Sequence, residues 1–191
     1  MCSSDLATLR DSLTARLDSS PAAKEIAQIG AAIGREFSYE LISAVVPRVK
    51  AELDAALERL TVSGLAFRRG TPPEATYTFK HALVQDTAYD SLLKAKRQQL
   101  HTEIAQVLEE DFADRVAIEP ELLAYHYTQA GNLDMAIPWW TKAGMLAAQR
   151  VGLQEAVVHF ERGLALIEQL PPTSERDALE LPIRATPSTR R

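Results

Sequence analysis

The sequence predicts a mainly helical protein of two modules, a three-helix domain closed by a short β-ribbon and then a helical array. Three observations predict it. Between Thr76 and Leu93, in "TYTFKHALVQDTAYDSLL", the hydrophobic period passes within a few residues from two to nearly four, so a sheet edge feeds directly into a helix. Upstream lies a helical hairpin followed by "LAFRRG", whereas from His81 onward there is no strand signal. Towards the end, "LDMAIPWW" (Leu133 to Trp140) and "LQEAVVHF" (Leu153 to Phe160) share Leu-x-x-Ala-x-x-x-aromatic at a spacing of twenty residues. Small alanines let neighbouring helices approach while the aromatic four positions on fills the gap, the packing scheme of helical hairpin arrays.

Each element follows from local chemistry. Leu6, Leu9, Leu13 and Leu17 recur at helical intervals, so the chain opens on an amphipathic helix that ends near the turn from Asp18 to Pro21. Ser20 and Pro21 start the next helix, a hydroxyl cap before a proline whose missing N–H costs nothing in the first turn. That helix runs through Ile26, Ile29 and Ile33 to Gly34. Ser38 caps a short helix closed by Pro47, and a third follows with Leu53, Leu57 and Leu60 on one face and Gly64 as a left-handed stop. "LAFRRG" and "ATYTFKH", joined across "TPPE", read as two strands with Tyr77 and Phe79 alternating against Thr76, Thr78 and Lys80. Three helices and a two-stranded ribbon in this order predict a winged-helix domain. Beyond it, Leu100, Ile104, Val107 and Leu108 mark one helix, a polar break near Asp114 follows, and Pro120 suits the first turn of the next. Trp140, Ala143, Gly144, Ala147, Ala156, Phe160 and Gly163 fall close to the tetratricopeptide pattern, about one and a half repeats of it. Pro182 and Pro187 are expected to break the next array helix and leave a mobile tail beyond about Leu181.

Composition narrows the function. The 191 residues include 25% charged and 46% hydrophobic side chains, a globular mixture, and the formal net charge of −5 provides no bulk attraction to nucleic acid or anionic membrane. A single cysteine, Cys2, rules out an internal disulfide and a multi-cysteine zinc site within one chain. No apolar run approaches the roughly 20 residues that span a bilayer, and "MCSSDLATLRD" lacks the pattern of a secretory signal. The expected location is the cytoplasm, with no membrane partner.

No sequence motif carries catalysis. There is no Gly-x-x-x-x-Gly-Lys-Ser/Thr loop; Gly30 and Gly34 are followed by Arg35 and Glu36, and their spacing is read as close helix packing. His81, His101, His126 and His159 never fall at metal-ligand spacing, and no Gly-x-Ser-x-Gly elbow occurs. No catalytic residue, metal or cofactor is therefore assigned. His81, at the strand-to-helix junction, is expected to bond exposed backbone groups there. Trp139 and Trp140 cannot both face inward, so one is expected to reach a groove or partner, and Pro138 to bend its helix or shift its start. Tyr125, Trp139, Arg68 and Arg69 are the candidate interaction residues. The helix before the ribbon carries Glu52, Asp54 and Glu58 against Lys50 and Arg59, so no nucleic-acid partner is expected despite Arg68, Arg69 and Lys80.

Together "DSLTARLD", "AAKEIAQIGAAIGREFSYELI", "LDAALERLTVSGLAFRRG", "TYTFKHALVQDTAYDSLL" and "PELLAYHYTQAGNLDMAIPWWTKAG" resemble the post-ATPase region of bacterial STAND-type signalling ATPases, most of all those linked to class III adenylate cyclase domains. The resemblance covers Leu6 to Leu181 and is most specific from Phe67 to Leu93. It implies the end of an ATPase lid at residues 1–19, a winged-helix domain at 20–95 and a tetratricopeptide-like array at 96–172, and the prolines leave a truncated helix and mobile tail at 173–191. In such proteins a cyclase and a P-loop ATPase precede these parts. Neither the cyclase carboxylates nor the P-loop has a counterpart here, and "MCSSD" and "PIRATPSTRR" fall outside the pattern, so a fragment of a longer protein is expected. The resemblance implies a non-catalytic regulatory and protein-interaction module, relaying between an ATPase and a helical-repeat sensor. Its partner would be a protein or the parent's ATPase domain. The alternatives are a winged-helix transcriptional regulator and a piece of a class III adenylate cyclase.

Overall fold

The computed structural model describes residues 2–46, 48–150 and 152–185, with side chains from residue 10 onward except at 175 and 185. The described chain is mainly helical with a three-stranded antiparallel sheet, and it divides into two compact units, Met1–Glu103 and Ile104–Arg191.

The first unit begins with α1 (Cys2–Asp18) and α2 (Pro21–Ile33). Leu13 and Leu17 are buried as the periodicity requires; the side chains of Cys2, Leu6 and Leu9 lie outside the described residues. A strand absent from the sequence reading follows, β1 (Glu36–Ser38), and then α3 (Tyr39–Val45). Ser38 caps α3 through its Oγ, which accepts from the Leu41 N–H at 3.1 Å. Pro47, expected to close this helix, lies outside the described residues. Helix α4 (Lys50–Val62) buries Leu53, Leu57 and Leu60 and ends where Gly64 turns to φ +67°, which brings the Leu65 N–H back to the Leu60 carbonyl at 3.0 Å.

Strands β2 (Ala66–Arg69) and β3 (Thr76–Phe79) pair antiparallel, with Phe67 opposite Thr78 and Arg68 opposite Tyr77. On its other edge β3 pairs with β1, Phe37 opposite Tyr77, so the order is β1-β3-β2 and the expected two-stranded ribbon is a three-stranded sheet. The period-two alternation of β3 sends Tyr77 and Phe79 inward, where Phe37 stacks on Tyr77 at 5.7 Å between centroids and lies 5.6 Å from Phe79. Gly30 on α2 is what admits the ring: a Cβ there would fall 2.6 Å from Phe37 Cε1. Gly30 therefore seats an aromatic from a strand where the Gly30–Gly34 spacing was expected to mark a helix–helix contact, and Gly34 takes no part in it.

Helix α5 (Ala82–Asp90) follows β3 directly and packs on α2 and α1. At its start the exposed His81 imidazole makes no capping bond, contrary to expectation; the His81 carbonyl instead accepts from the Val84 N–H at 3.0 Å. Helix α6 (Lys94–Asp111) buries Leu100, Ile104 and Leu108, and the division between the two units falls within it.

In the second unit Asp114 lies within the short helix α7 (Ala113–Ile118), so the break in regular structure comes at Phe112 instead. Pro120 is the N-cap of α8 (Glu121–Ala130), and Gly131 at φ +78° ends that helix. Next comes α9 (Leu133–Gln149), capped by Asn132, whose Oδ1 accepts from the Met135 N–H at 3.2 Å. Pro138 sits inside this unbroken helix and does not shift its start. Helix α10 (Leu153–Ile167) presents Ala156 and Phe160, and Gly144 on α9 has no room for a Cβ beside the Phe160 ring. The first leucines of the two repeat segments are not core positions: Leu153 is exposed and Leu133 half-buried.

Helix α11 (Ser174–Ala185) runs through Pro182, which corrects the expected break and places residues 182–185 in a helix. An interior proline costs about 3 kcal/mol, and burying the adjacent isoleucine returns about 1.5–3 kcal/mol of it. Ile183 is fully buried, and Gly163 on α10 leaves space for its Cδ1. Pro187 and the rest of the expected tail, 186–191, lie outside the described residues.

Candidate interaction sites

The four candidate residues fall in two different units: Arg68 and Arg69 on β2 in the first, Tyr125 on α8 and Trp139 on α9 in the second.

Strand alternation separates the two arginines. Arg68 lies on the same face as buried Ala66 and donates from Nη1 to Glu58 Oε2 on α4 at 3.1 Å. Arg69 lies on the opposite face and, with Glu36, Glu74, Thr76 and Thr78, lines a polar depression of about 320 Å³. Beside it Phe67 is 57% exposed, with Lys80 Nζ 5.8 Å from its ring centroid. Burial pushes the Tyr77 phenol up, partly opposed by the charge and hydrogen bond of Arg68.

Two arginines beside α4 are paired with carboxylates of the same unit. Arg48 pairs with Glu25 and with Glu52, and Arg68 with Glu58. Asp54 accepts from the Tyr39 hydroxyl at 2.7 Å; burial, then that bond and charge, push Tyr39 up to about 12. A phosphate backbone would have to displace several of these pairs while approaching Glu52, Asp54 and Glu58.

Sequence reasoning missed a groove of about 420 Å³ where the α1–α2 turn meets the end of α4. Leu17, Ala23, Val62 and Leu65 give it an apolar wall, and Arg16 and Arg59 stand at its rim. Arg16 donates from Nη2 to the Ser63 carbonyl, and Arg59 from Nη1 to Ser20 Oγ at 3.1 Å. Ser20 thus holds an arginine and makes no side-chain capping bond to α2. One sequence signal was available: neither arginine has an acidic residue three or four positions away, where helical ion pairs form.

In the second unit the adjacent tryptophans part as expected. Trp140 is buried and donates from Nε1 to Thr128 Oγ1 at 2.9 Å. Trp139 is half-buried, with Lys142 Nζ 4.3 Å from its ring centroid. Tyr125 is 41% exposed and meets His126 edge-on at 5.2 Å. His159 stacks on Trp140 at 5.5 Å, and its Nδ1 is buried without a hydrogen-bond partner among the described residues. Burial lowers the His159 pKa, and the ring borders a small polar cavity of about 200 Å³ with Glu119, Glu121, Arg150 and Glu155. Among the described residues no three His, Cys, Asp or Glu side chains converge as a metal site would require, and no helix is long and apolar enough to cross a membrane.

No protein family and no solved structure matches the chain. It is similar to an uncharacterized protein of Rhizobium meliloti (strain 1021), 29% identical over 170 residues that make up 88% of this chain. The chain spans 16% of that relative's length.

Proposed function

We propose that the chain is a non-catalytic regulatory and protein-interaction module of a longer cytoplasmic signalling ATPase, with a winged helix joined to a tetratricopeptide-like array. The winged-helix reading is supported by the order helix, strand, helix, helix, strand, strand from Pro21 to Phe79. The array reading draws on the glycine seats, Gly144 for Phe160 and Gly163 for Ile183. The observation that carries the functional reading is the ion pairing around α4: Arg48 and Arg68 are committed to Glu25, Glu52 and Glu58, which favours a protein partner over DNA. The much greater length of the Rhizobium relative suits a module that works on neighbouring domains.

Titrating random duplex DNA into the chain at low salt, followed by fluorescence anisotropy, tests this. The expected result is no submicromolar binding. Tight binding that weakens steeply with salt and is lost in Arg68→Glu/Arg69→Glu would favour the transcriptional regulator. Saturable micromolar binding of Mg-ATP in calorimetry would equally end the non-catalytic reading. In the full-length relative, deleting the matching segment is expected to change ATP hydrolysis several-fold; absent or unchanged hydrolysis would remove the relay.

A further inference from the structure

We propose that the groove between the α1–α2 turn and the end of α4 is a docking site for an apolar peptide segment that carries carboxylates, supplied by a partner protein. The proposal rests on the reading of the chain as an interaction module and specifies where and what it binds. The groove has the two features such a segment requires. Its wall is apolar, with Leu17, Ala23 and Leu65 buried at the base and Val62 at the lip, 79% exposed. A valine that open beside an unfilled groove gains only when something covers it.

The rim selects the charge. Among the described residues neither Arg16 nor Arg59 lies within ion-pairing distance of a carboxylate, in contrast to Arg48 and Arg68 on the same unit. Each is seen to donate to a neutral oxygen, Ser63 O for Arg16 and Ser20 Oγ for Arg59. Those bonds hold the guanidinium groups at the rim while leaving most of each five-donor fork for a ligand. Glu58, also at the rim, has its charge offset by Arg68 at 3.1 Å. The chain as a whole is acidic, with a net charge of −5, so a carboxylate-bearing segment is attracted only locally. Screening makes that local pair decisive, because at physiological salt charges beyond about 8 Å contribute little. A cationic peptide would meet two arginines.

The test uses the full chain and three fluorescein-labelled, amidated heptapeptides: alternating leucine and glutamate, and its glutamine and lysine counterparts. Anisotropy is expected to rank them glutamate, glutamine, lysine, with about fivefold between the first two. Arg59→Gln should cost the glutamate peptide about fivefold and leave the glutamine peptide unchanged. Val62→Glu, at an exposed position that leaves the fold intact by circular dichroism, should weaken the glutamate peptide by more than about tenfold. The proposal is overturned if the peptides bind alike or not at all, or if both variants match the native chain. It is also overturned if millimolar inorganic phosphate displaces the peptide completely, which would make this an anion site. Sedimentation showing a dimer that Val62→Glu dissociates would assign the groove to a second copy. A negative peptide result with no DNA or ATP binding would end the groove proposal alone, whereas DNA or ATP binding would end the module reading first.

Discussion

Both units seat an aromatic ring on a glycine, Phe37 on Gly30 in the first and Phe160 on Gly144 in the second, but they gather the rest of each core from different distances along the chain. Phe37 is completed by Tyr77 and Phe79, and α2 packs on α5, with Gln28 Nε2 donating to Ser91 Oγ at 2.8 Å. In the second unit the packing is mostly between neighbours in sequence, α8 with α9, α9 with α10 and α10 with α11, and the longest reach is from α9 to α11. Distant pairings must close together or not at all, whereas neighbour pairings can open from an end. The first unit should therefore melt as a block and the second should fray.

The largest effect separates the units outright. Phe160→Ala removes a fully buried ring from the second unit and should cost about 3–5 kcal/mol. Both tryptophans, Trp139 and Trp140, lie in that unit, so urea unfolding followed by tryptophan fluorescence should shift to lower urea. Amide exchange of β3 should stay as in the native chain. Equal loss in both would show that the units unfold as one.

Acid should act most strongly on the first unit. His101 is fully buried with Nε2 2.9 Å from the Tyr89 hydroxyl, and burial lowers its pKa from 6.5 to about 4. The unfolded chain takes up the proton first, so stability is complete above about pH 6.5, falls as pH drops towards about 4, and levels off below. The loss should approach ~3 kcal/mol, and His101→Gln should flatten it. A native pH profile that the variant reproduces would place the titrating group elsewhere.

Gly30→Ala drives a methyl into the Phe37 ring and should cost about 1–3 kcal/mol, read by amide exchange in β1 and β3 with tryptophan fluorescence unmoved. Adding Phe37→Leu should recover part of the loss; simple additivity would show that the ring is not what the glycine accommodates. Ser38→Ala removes the α3 cap and should cost ~1 kcal/mol, the smallest of these effects. No change in α3 exchange would leave the Ser38–Leu41 bond without energetic weight.

What was legible in the sequence is what is decided locally. The Ser38 cap, the Gly64 turn and the Leu53, Leu57 and Leu60 stripe each depend on residues within one or two turns, and the structure places them accordingly. Strand β1 was not legible because three residues with one inward side chain, Phe37, have no period of their own; their partners are 42 positions away at Glu36 opposite Thr78. Pro182 misled for the converse reason: a strong local rule was outweighed by Ile183 filling the space above Gly163. Of the candidate interaction residues, the divergence of Trp139 and Trp140 followed from helix geometry. The commitment of Arg68 to Glu58 and the groove flanked by Arg16 and Arg59 depend on where separate elements meet.

The position of β1 also sets a schedule for synthesis. Its single hydrogen-bonding neighbour is β3, so once Glu36 leaves the ribosome it waits for Thr78 to follow, about 2–8 s at 5–20 residues per second. Until then Phe37 has Gly30 on α2 for cover, with Tyr77 and Phe79 still unmade. The nascent chain is thus most open to chaperones between the third helix and the end of the ribbon, and slowing translation there would lengthen that exposure without altering any contact in the finished fold.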